Sequence, residues 1–220
     1  MTEDKIYSVK IAGVVVLERA AEISLSKTAY HHGDLRRALL AAAEAELAEK
    51  GPEGFTLRGC AKRAGVSHAA PAHHFKDVDD LLTALAVVGF ERFTEAMRNR
   101  QRQAAAAPRD RLTAAGIGYV EFAIANAALF KLMFGSGRLD SQAPALAASR
   151  HQAFGVLVDA VSASRGDMAM QSEAGRREVA ACWSTVHGIA SLLLVEQLDF
   201  LDMSHDRAAT LRGLIERSMP

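Results

Sequence analysis

Neither sign of charge predominates in this chain: 26 basic and 26 acidic side chains leave a formal net charge of zero over 220 residues. That balance excludes a basic coat spread over nucleic acid, so any contact with DNA must be local. Cysteine is scarce. The two present, Cys60 and Cys182, fall on apolar faces of expected helices and read as core thiols, not as a disulfide framework. No Cys/His spacing suits zinc, and neither a phosphate-binding loop nor a G-x-S-x-G elbow occurs, so no metal or cofactor is expected. Long apolar runs are missing too. The stretch Ile11 to Leu17 is too short to span a bilayer, lacks a small-residue cleavage site and is surrounded by Glu3, Asp4 and Glu18. A soluble cytoplasmic protein with no membrane partner is expected.

What the chain does have is half its residues hydrophobic, enough to build a sizeable core despite only 6% aromatics. Its most informative stretch is TLRGCAKRAGVSHAAPAHHFKD, Thr56 to Asp77. Thr56 is a helix cap, and Leu57, Cys60, Ala61 and Ala64 supply one apolar stripe. Gly65 ends that helix because glycine enters the left-handed cap conformation at little cost. Ser67 is expected to cap a second short helix running towards Phe75. Two short helices joined by a turn containing glycine make a helix-turn-helix pattern. Arg58, Lys62, Arg63, His68, His73, His74 and Lys76 bring the donors that phosphates and base edges require. An ordinary helical hairpin with a solvated basic face gives the same pattern.

Alternation appears only near the start, where Val14, Val15 and Val16 favour a strand; residues 1–29 form an extension whose pattern points to no role. From Gly33 the periodicity is helical. Leu35, Leu39, Ala43 and Leu47 make one stripe, ended by Gly51. Asp77, Asp79 and Asp80 open a helix expected to reach about Gln103, and Ala104 to Pro108 break it. Further helices are expected at about 109–125, around Leu129 to Phe134, and at about 144–164, 172–198 and 206–218. The fold expected is all-α.

In this order the chain resembles the tetracycline-repressor (TetR) family of bacterial transcriptional regulators. The resemblance rests on Thr56-Leu57-Arg58, Ala64-Gly65-Val66-Ser67, His74-Phe75-Lys76-Asp77 and Leu81-Leu82. Tyr30 to Leu35, His68-Ala69-Ala70-Pro71 and Trp183 to Gly188 look like one subgroup, whose C-terminal domain is named for its Trp-His-Gly pattern. The resemblance implies a helix-turn-helix DNA-binding domain over 30–77, with a recognition helix at about His68 to His74. It implies a helical ligand-binding and dimerisation domain over 78–220. The function implied is a homodimeric repressor that a small molecule releases from double-stranded operator DNA. Two positions depart from the family: Ala72 stands where a tyrosine is usual and Val78 where a lysine is usual, and both commonly hold the phosphate backbone.

Thr56 and Ser67 are caps that can also meet phosphate. Arg58, Lys62 and Arg63 are either solvated charges or phosphate clamps. His68, Ala69 and Ala70 open the recognition helix, where alanine offers only apolar contact, for example to a thymine methyl. Pro71 removes an amide donor there, so the helix is expected to start tight or irregular. Trp183 and His187 lie four apart, on one face. They are either core residues, the histidine held by a hydrogen bond, or part of an apolar effector pocket with Phe122, Phe130, Met133 and Phe134. Two other functions compete. One is a helical protein-interaction module without DNA binding. The other is an enzyme using His187 with Glu196 or Asp199, for which no nucleophile and base stand at motif spacing.

Overall fold

The computed structural model describes residues 35–201, 203 and 205–218. The extension, its expected strand and the stretch Tyr30 to Asp34 lie outside them. The described residues form an all-helical protein with a helix-turn-helix unit leading into a larger helical bundle. Helix α1 spans 35–50 and ends at Gly51, whose φ of 67° is left-handed. Helix α2, Leu57–Arg63, is capped by Thr56, whose Oγ1 accepts from Gly59 N at 3.0 Å. Such a cap contributes about 1 kcal/mol.

The expected recognition helix is different. It is a 3₁₀ turn, Ala70–His73, preceded by Ala69, and no side chain caps it. Ser67 contributes a backbone carbonyl instead, accepting from Ala70 N at 3.0 Å. Pro71 is buried and has no amide to give to an α-helical ladder, so the tighter i→i+3 bonding takes over. Phe75, buried beside it, closes the unit onto α1, and Arg36 lies over its ring at 5.4 Å.

Helix α3, Val78–Gln103, is continuous for 26 residues and starts at Asp77, whose carboxylate accepts from Asp80 N at 2.9 Å. Its first turns bury Leu81, Leu82 and Leu85 against the helix-turn-helix core with Leu39 and Leu47. Each fully buried leucine stabilises by roughly 2 kcal/mol. Helix α4, Pro108–Ala125, and α5, Ala127–Gly135, meet at 108° across Asn126, whose Nδ2 donates to Phe122 O. Helix α6, Pro144–Arg165, ends on Gly166 at φ 79°. Helix α7 is shorter than expected, Glu173–Leu193, and turns replace its last residues, with Glu196 at φ 58°. Helix α8, Arg207–Ser218, closes the described chain. Cys60 and Cys182 are free and buried. Among the described residues no single helix is long and apolar enough to cross a membrane.

Two close contacts fix the frame. Gly118 of α4 lies against the backbone of α3, where an added Cβ would stand 2.7 Å from Ala96 O and 2.9 Å from Met97 Cα. In the first unit, the carboxylate of Glu46, almost wholly buried, accepts from Lys50 at 2.6 Å and from Arg63 at 3.2 Å, tying α1 to α2. The Lys50 ammonium holds this carboxyl below the usual glutamate range.

Gly118→Ala is expected to lower stability by about 1–3 kcal/mol, because backbone must move to admit the methyl; chemical denaturation measures it. Glu46 binds its proton more weakly folded than unfolded, so its contribution is present above the ordinary glutamate value of about 4.3 and is lost as pH falls through the folded value. The acid limb of melting temperature against pH should therefore be shallower in Glu46→Gln than in the parent protein.

Candidate functional site

Donors cluster on the first unit. Thr56, Arg58, Lys62, Ser67, His68, Ala69, His73 and Lys76 are exposed, as a surface that meets DNA requires. Arg58 and Lys62 sit on α2, four residues apart and so on neighbouring turns of one face. Ala70 and His74 are half-buried in the 3₁₀ turn. Arg63 differs from Arg58 and Lys62. Its guanidinium bonds Glu46 and Glu49, so it braces α2 against α1 and is not a free phosphate clamp. Carboxylates 17 and 14 residues away are invisible to a motif reading. Ala72 is exposed, and Val78 is half-buried against the core, so neither departure from the family pattern is offset by a new donor at its own position.

A cavity of about 470 Å³ lies in the bundle between α3, α4, α5, α6 and α7. Three of the expected pocket residues line it: Met133, Phe134 and Trp183. Phe122, Phe130 and His187 do not. Phe122 and Phe130 are buried, their rings 5.2 and 6.5 Å from that of Phe93. His187 stands behind Tyr119, with Nδ1 2.7 Å from the phenol oxygen. The residues missed are Phe90, Phe93 and Met97 from α3, Leu112 and Tyr119 from α4, and Arg150, Phe154 and Leu157 from α6. Helix α6 was thus wholly unforeseen as a wall.

Burial pushes the Tyr119 phenol well above its ordinary value and lowers His187, so both are neutral near pH 7. Between them they satisfy a polar pair inside apolar surroundings, which is the structural reading of the histidine. Among the described residues Arg150 is the one charged side chain on the cavity wall, its Cζ 5.7 Å from the centroid of Phe90. Trp183, 42% exposed, marks where solvent reaches the cavity, with Phe154 beside it at 5.7 Å. Among the described residues no group of histidine, cysteine and carboxylate side chains is placed to hold a metal ion.

Besides α3 itself, the loop after α5 ties the cavity wall to the helix-turn-helix unit. Arg138, in the loop after α5, donates from Nε to Asp79 Oδ1 at 2.9 Å and from Nη1 to Pro52 O at 2.7 Å. The same loop gives Asp140 N to Thr83 Oγ1 at 3.0 Å. Met133 and Phe134 on the cavity wall therefore lie within about two helical turns of a contact on α3 and on the turn between α1 and α2.

Two family descriptions match this sequence. "Bacterial regulatory proteins, tetR family" matches residues 39–85, and "Tetracyclin repressor-like, C-terminal domain" matches residues 112–217. No curated protein matches the chain. A solved protein of unknown function from Rhodococcus sp. RHA1 is 34% identical, with a TM-score of 0.71 over 87% of this chain and 98% of that one. A TetR family transcription regulator from Marinobacter aquaeolei VT8 is 16% identical, with a TM-score of 0.64 over 86% and 97%. The transcriptional regulator FadR from Bacillus subtilis, solved in complex with stearoyl-CoA, is 17% identical, with a TM-score of 0.61 over 82% and 95%. At identities this low the last two show a shared fold alone. With both halves of the chain matched, and a helix-turn-helix carrying exposed donors ahead of a helical bundle, the chain belongs to the TetR family of DNA-binding transcriptional regulators.

Proposed function

We propose that this chain is a homodimeric repressor that leaves its operator when a small, largely apolar effector enters the cavity lined by Met133, Phe134, Tyr119 and Trp183. The observation that carries the reading is the Arg138 contact. Effector in the cavity presses on α5 through Met133 and Phe134, and the loop after α5 grips Asp79 and Pro52. A ligand that favours a different seat for α5 thus changes the attitude of the helix-turn-helix unit, provided it binds the two arrangements with different affinity. The division of labour falls at about residue 77, with residues 30–77 on DNA and 78–220 binding effector and partner subunit. The assignment to the Trp-His-Gly subgroup rests on Trp183, His187 and Gly188, which lie within the matched residues 112–217.

DNA contact falls to Thr56, Arg58, Lys62, Ser67, His68, Ala69, Ala70, His73, His74 and Lys76, with Arg63 as brace. Two recognition turns in a dimer would lie about one DNA turn apart, roughly 34–36 Å, as in other helix-turn-helix dimers. The dimer surface is formed by α7 and α8. Leu192 on α7 is 44% exposed, and Val195 and Phe200 in the turns that continue from it are 55% and 79% exposed, apolar side chains that water alone would cover poorly.

A second reading, an interaction module without DNA binding, draws on Ala72, Val78 and the short 3₁₀ turn. One assay separates the two. Mobility shift with DNA from upstream of the protein's own coding sequence should give a retarded band, and Arg58→Ala with Lys62→Ala should weaken it at least tenfold. Removing one ionic bond to a phosphate should flatten the log–log salt slope by about 0.9, and Ala72→Tyr with Val78→Lys should steepen it. No band from either the parent protein or the Tyr/Lys variant leaves the second reading standing.

Sedimentation at micromolar concentration should show a dimer, and Leu192→Asp should shift it towards monomer by placing an unpaired charge in the interface. A parent protein that sediments as a monomer would be incompatible with the proposed pairing.

A further inference from the structure

The cavity wall is apolar except at a few points, and those points are not chemically balanced. Among the described residues no aspartate or glutamate lines it. The Tyr119 hydroxyl is already committed to His187 at 2.7 Å. The Trp183 indole N–H is in turn spent on the Tyr119 oxygen, which leaves the Arg150 guanidinium, a donor only. Arg92, Arg100, Arg138 and Arg165 elsewhere in the fold each hold a carboxylate. Arg150 does not. Among the described residues it has the Phe90 ring as its neighbour and no carboxylate, and a ring face attracts a guanidinium without accepting its five N–H donors in line. A half-buried cation with its fork open towards an apolar cavity is complementary to one kind of guest.

We propose that the effector is an amphipathic monoanion, with an apolar body among Phe93, Met97, Leu112 and Phe134 and a carboxylate paired with the fork of Arg150. The inference rests on the cavity being the effector site and adds the charge class of what enters it. A planar carboxylate suits a guanidinium because two parallel N–H···O bonds form at once, which an alcohol cannot match. An amphipathic cation would meet Arg150 with like charge and find no acidic side chain on the wall. The volume of about 470 Å³, set against about 30 Å³ for one water in the liquid, holds a guest of on the order of fifteen non-hydrogen atoms.

Trp183 is the single tryptophan of the chain and lines the cavity, so its fluorescence reports directly on binding there. The full-length protein is titrated with sodium decanoate, 1-decanol and decylammonium, each below its micellar or solubility limit. Decanoate should shift the Trp183 emission saturably and bind about ten- to a hundredfold tighter than decanol, with decylammonium weakest. Arg150→Gln should bring decanoate down to the level of decanol and leave decanol unchanged. Arg150→Lys should keep part of the preference, as a point charge without the fork.

Equal binding of decanoate and decanol to the parent protein overturns the charge assignment while leaving the cavity as the effector site. Tighter binding of decylammonium does the same. Failure of all three probes overturns the assignment together with the cavity reading on which it rests. If Arg150→Gln loses decanol as well, its fold is damaged and Arg150→Lys decides: a retained preference for decanoate supports the assignment, and its disappearance overturns it.

Discussion

One helix without a break, Val78–Gln103, determines how everything else is placed. Its 26 residues span about 39 Å at 1.5 Å per residue, so its two ends cannot be adjusted independently. Leu81, Leu82 and Leu85 belong to the core of the helix-turn-helix unit, while Phe90, Phe93 and Met97 face the cavity three turns later. Gly89 lies under α5, where an added Cβ would stand 2.7 Å from the Met133 sulfur. Gly118 lets α4 touch its backbone at Ala96 and Met97. Held at these two points, α3 is built to tilt as a rod under the proposed function, since packed interfaces shift between discrete seats more readily than they deform.

Electrostatics follow a similar economy. With no net charge, the protein gains no long-range attraction to a polyanion, and its cations act where they are left unmatched. Several arginines are matched. Arg63 goes to Glu46 and Glu49, Arg100 to Glu121, and Arg165 to Asp167 and Glu178. These pairs brace helices against each other and against loops; exposed ones contribute little to stability, while the nearly buried Glu46 contributes more. Arg58 and Lys62, exposed on α2, carry no such pairing among the described residues, which is why the proposed function gives them the phosphates; Arg150 is the counterpart inside the bundle.

Much of the fold was legible because its signals are local. Thr56, Gly51, Pro108, Pro144 and Gly166 each sit at a helix end where backbone chemistry demands such a residue. The 3₁₀ turn at Ala70–His73 was only half legible. Pro71 warned of irregularity, but whether the ladder recovers after a missing amide depends on burial of the proline ring, a tertiary matter. The cavity was legible in kind more than in membership. Periodicity identifies apolar positions, and on helices buried all round, such as α4, it does not say which face meets a cavity and which meets a neighbour. Phe122 and Tyr119 lie on the same helix, yet only Tyr119 lines the cavity. Helix α6 was expected at about 144–164 but not as a cavity wall, because alanines dilute its apolar stripe.

The size of the cavity constrains how it exists between ligands. A sealed apolar void costs about 24 cal/mol per Å³, so 470 Å³ would cost about 11 kcal/mol, as much as the whole stability of an ordinary domain. A closed, empty cavity of that size is therefore incompatible with a stable fold, and the wall must be open at some point. Trp183, 42% exposed, and the half-buried Arg150 both lie on the wall where such an opening would place polar or amphipathic groups. Solvent at such a mouth would hydrate the half-buried guanidinium, and a guest would have to replace that hydration. Guest binding then both fills apolar volume and stabilises the form it prefers, by a logarithm of its concentration over its dissociation constant. Under the proposed function, a guest filling that volume would bear on α5 through Met133 and Phe134, and through Arg138 on the helix-turn-helix unit.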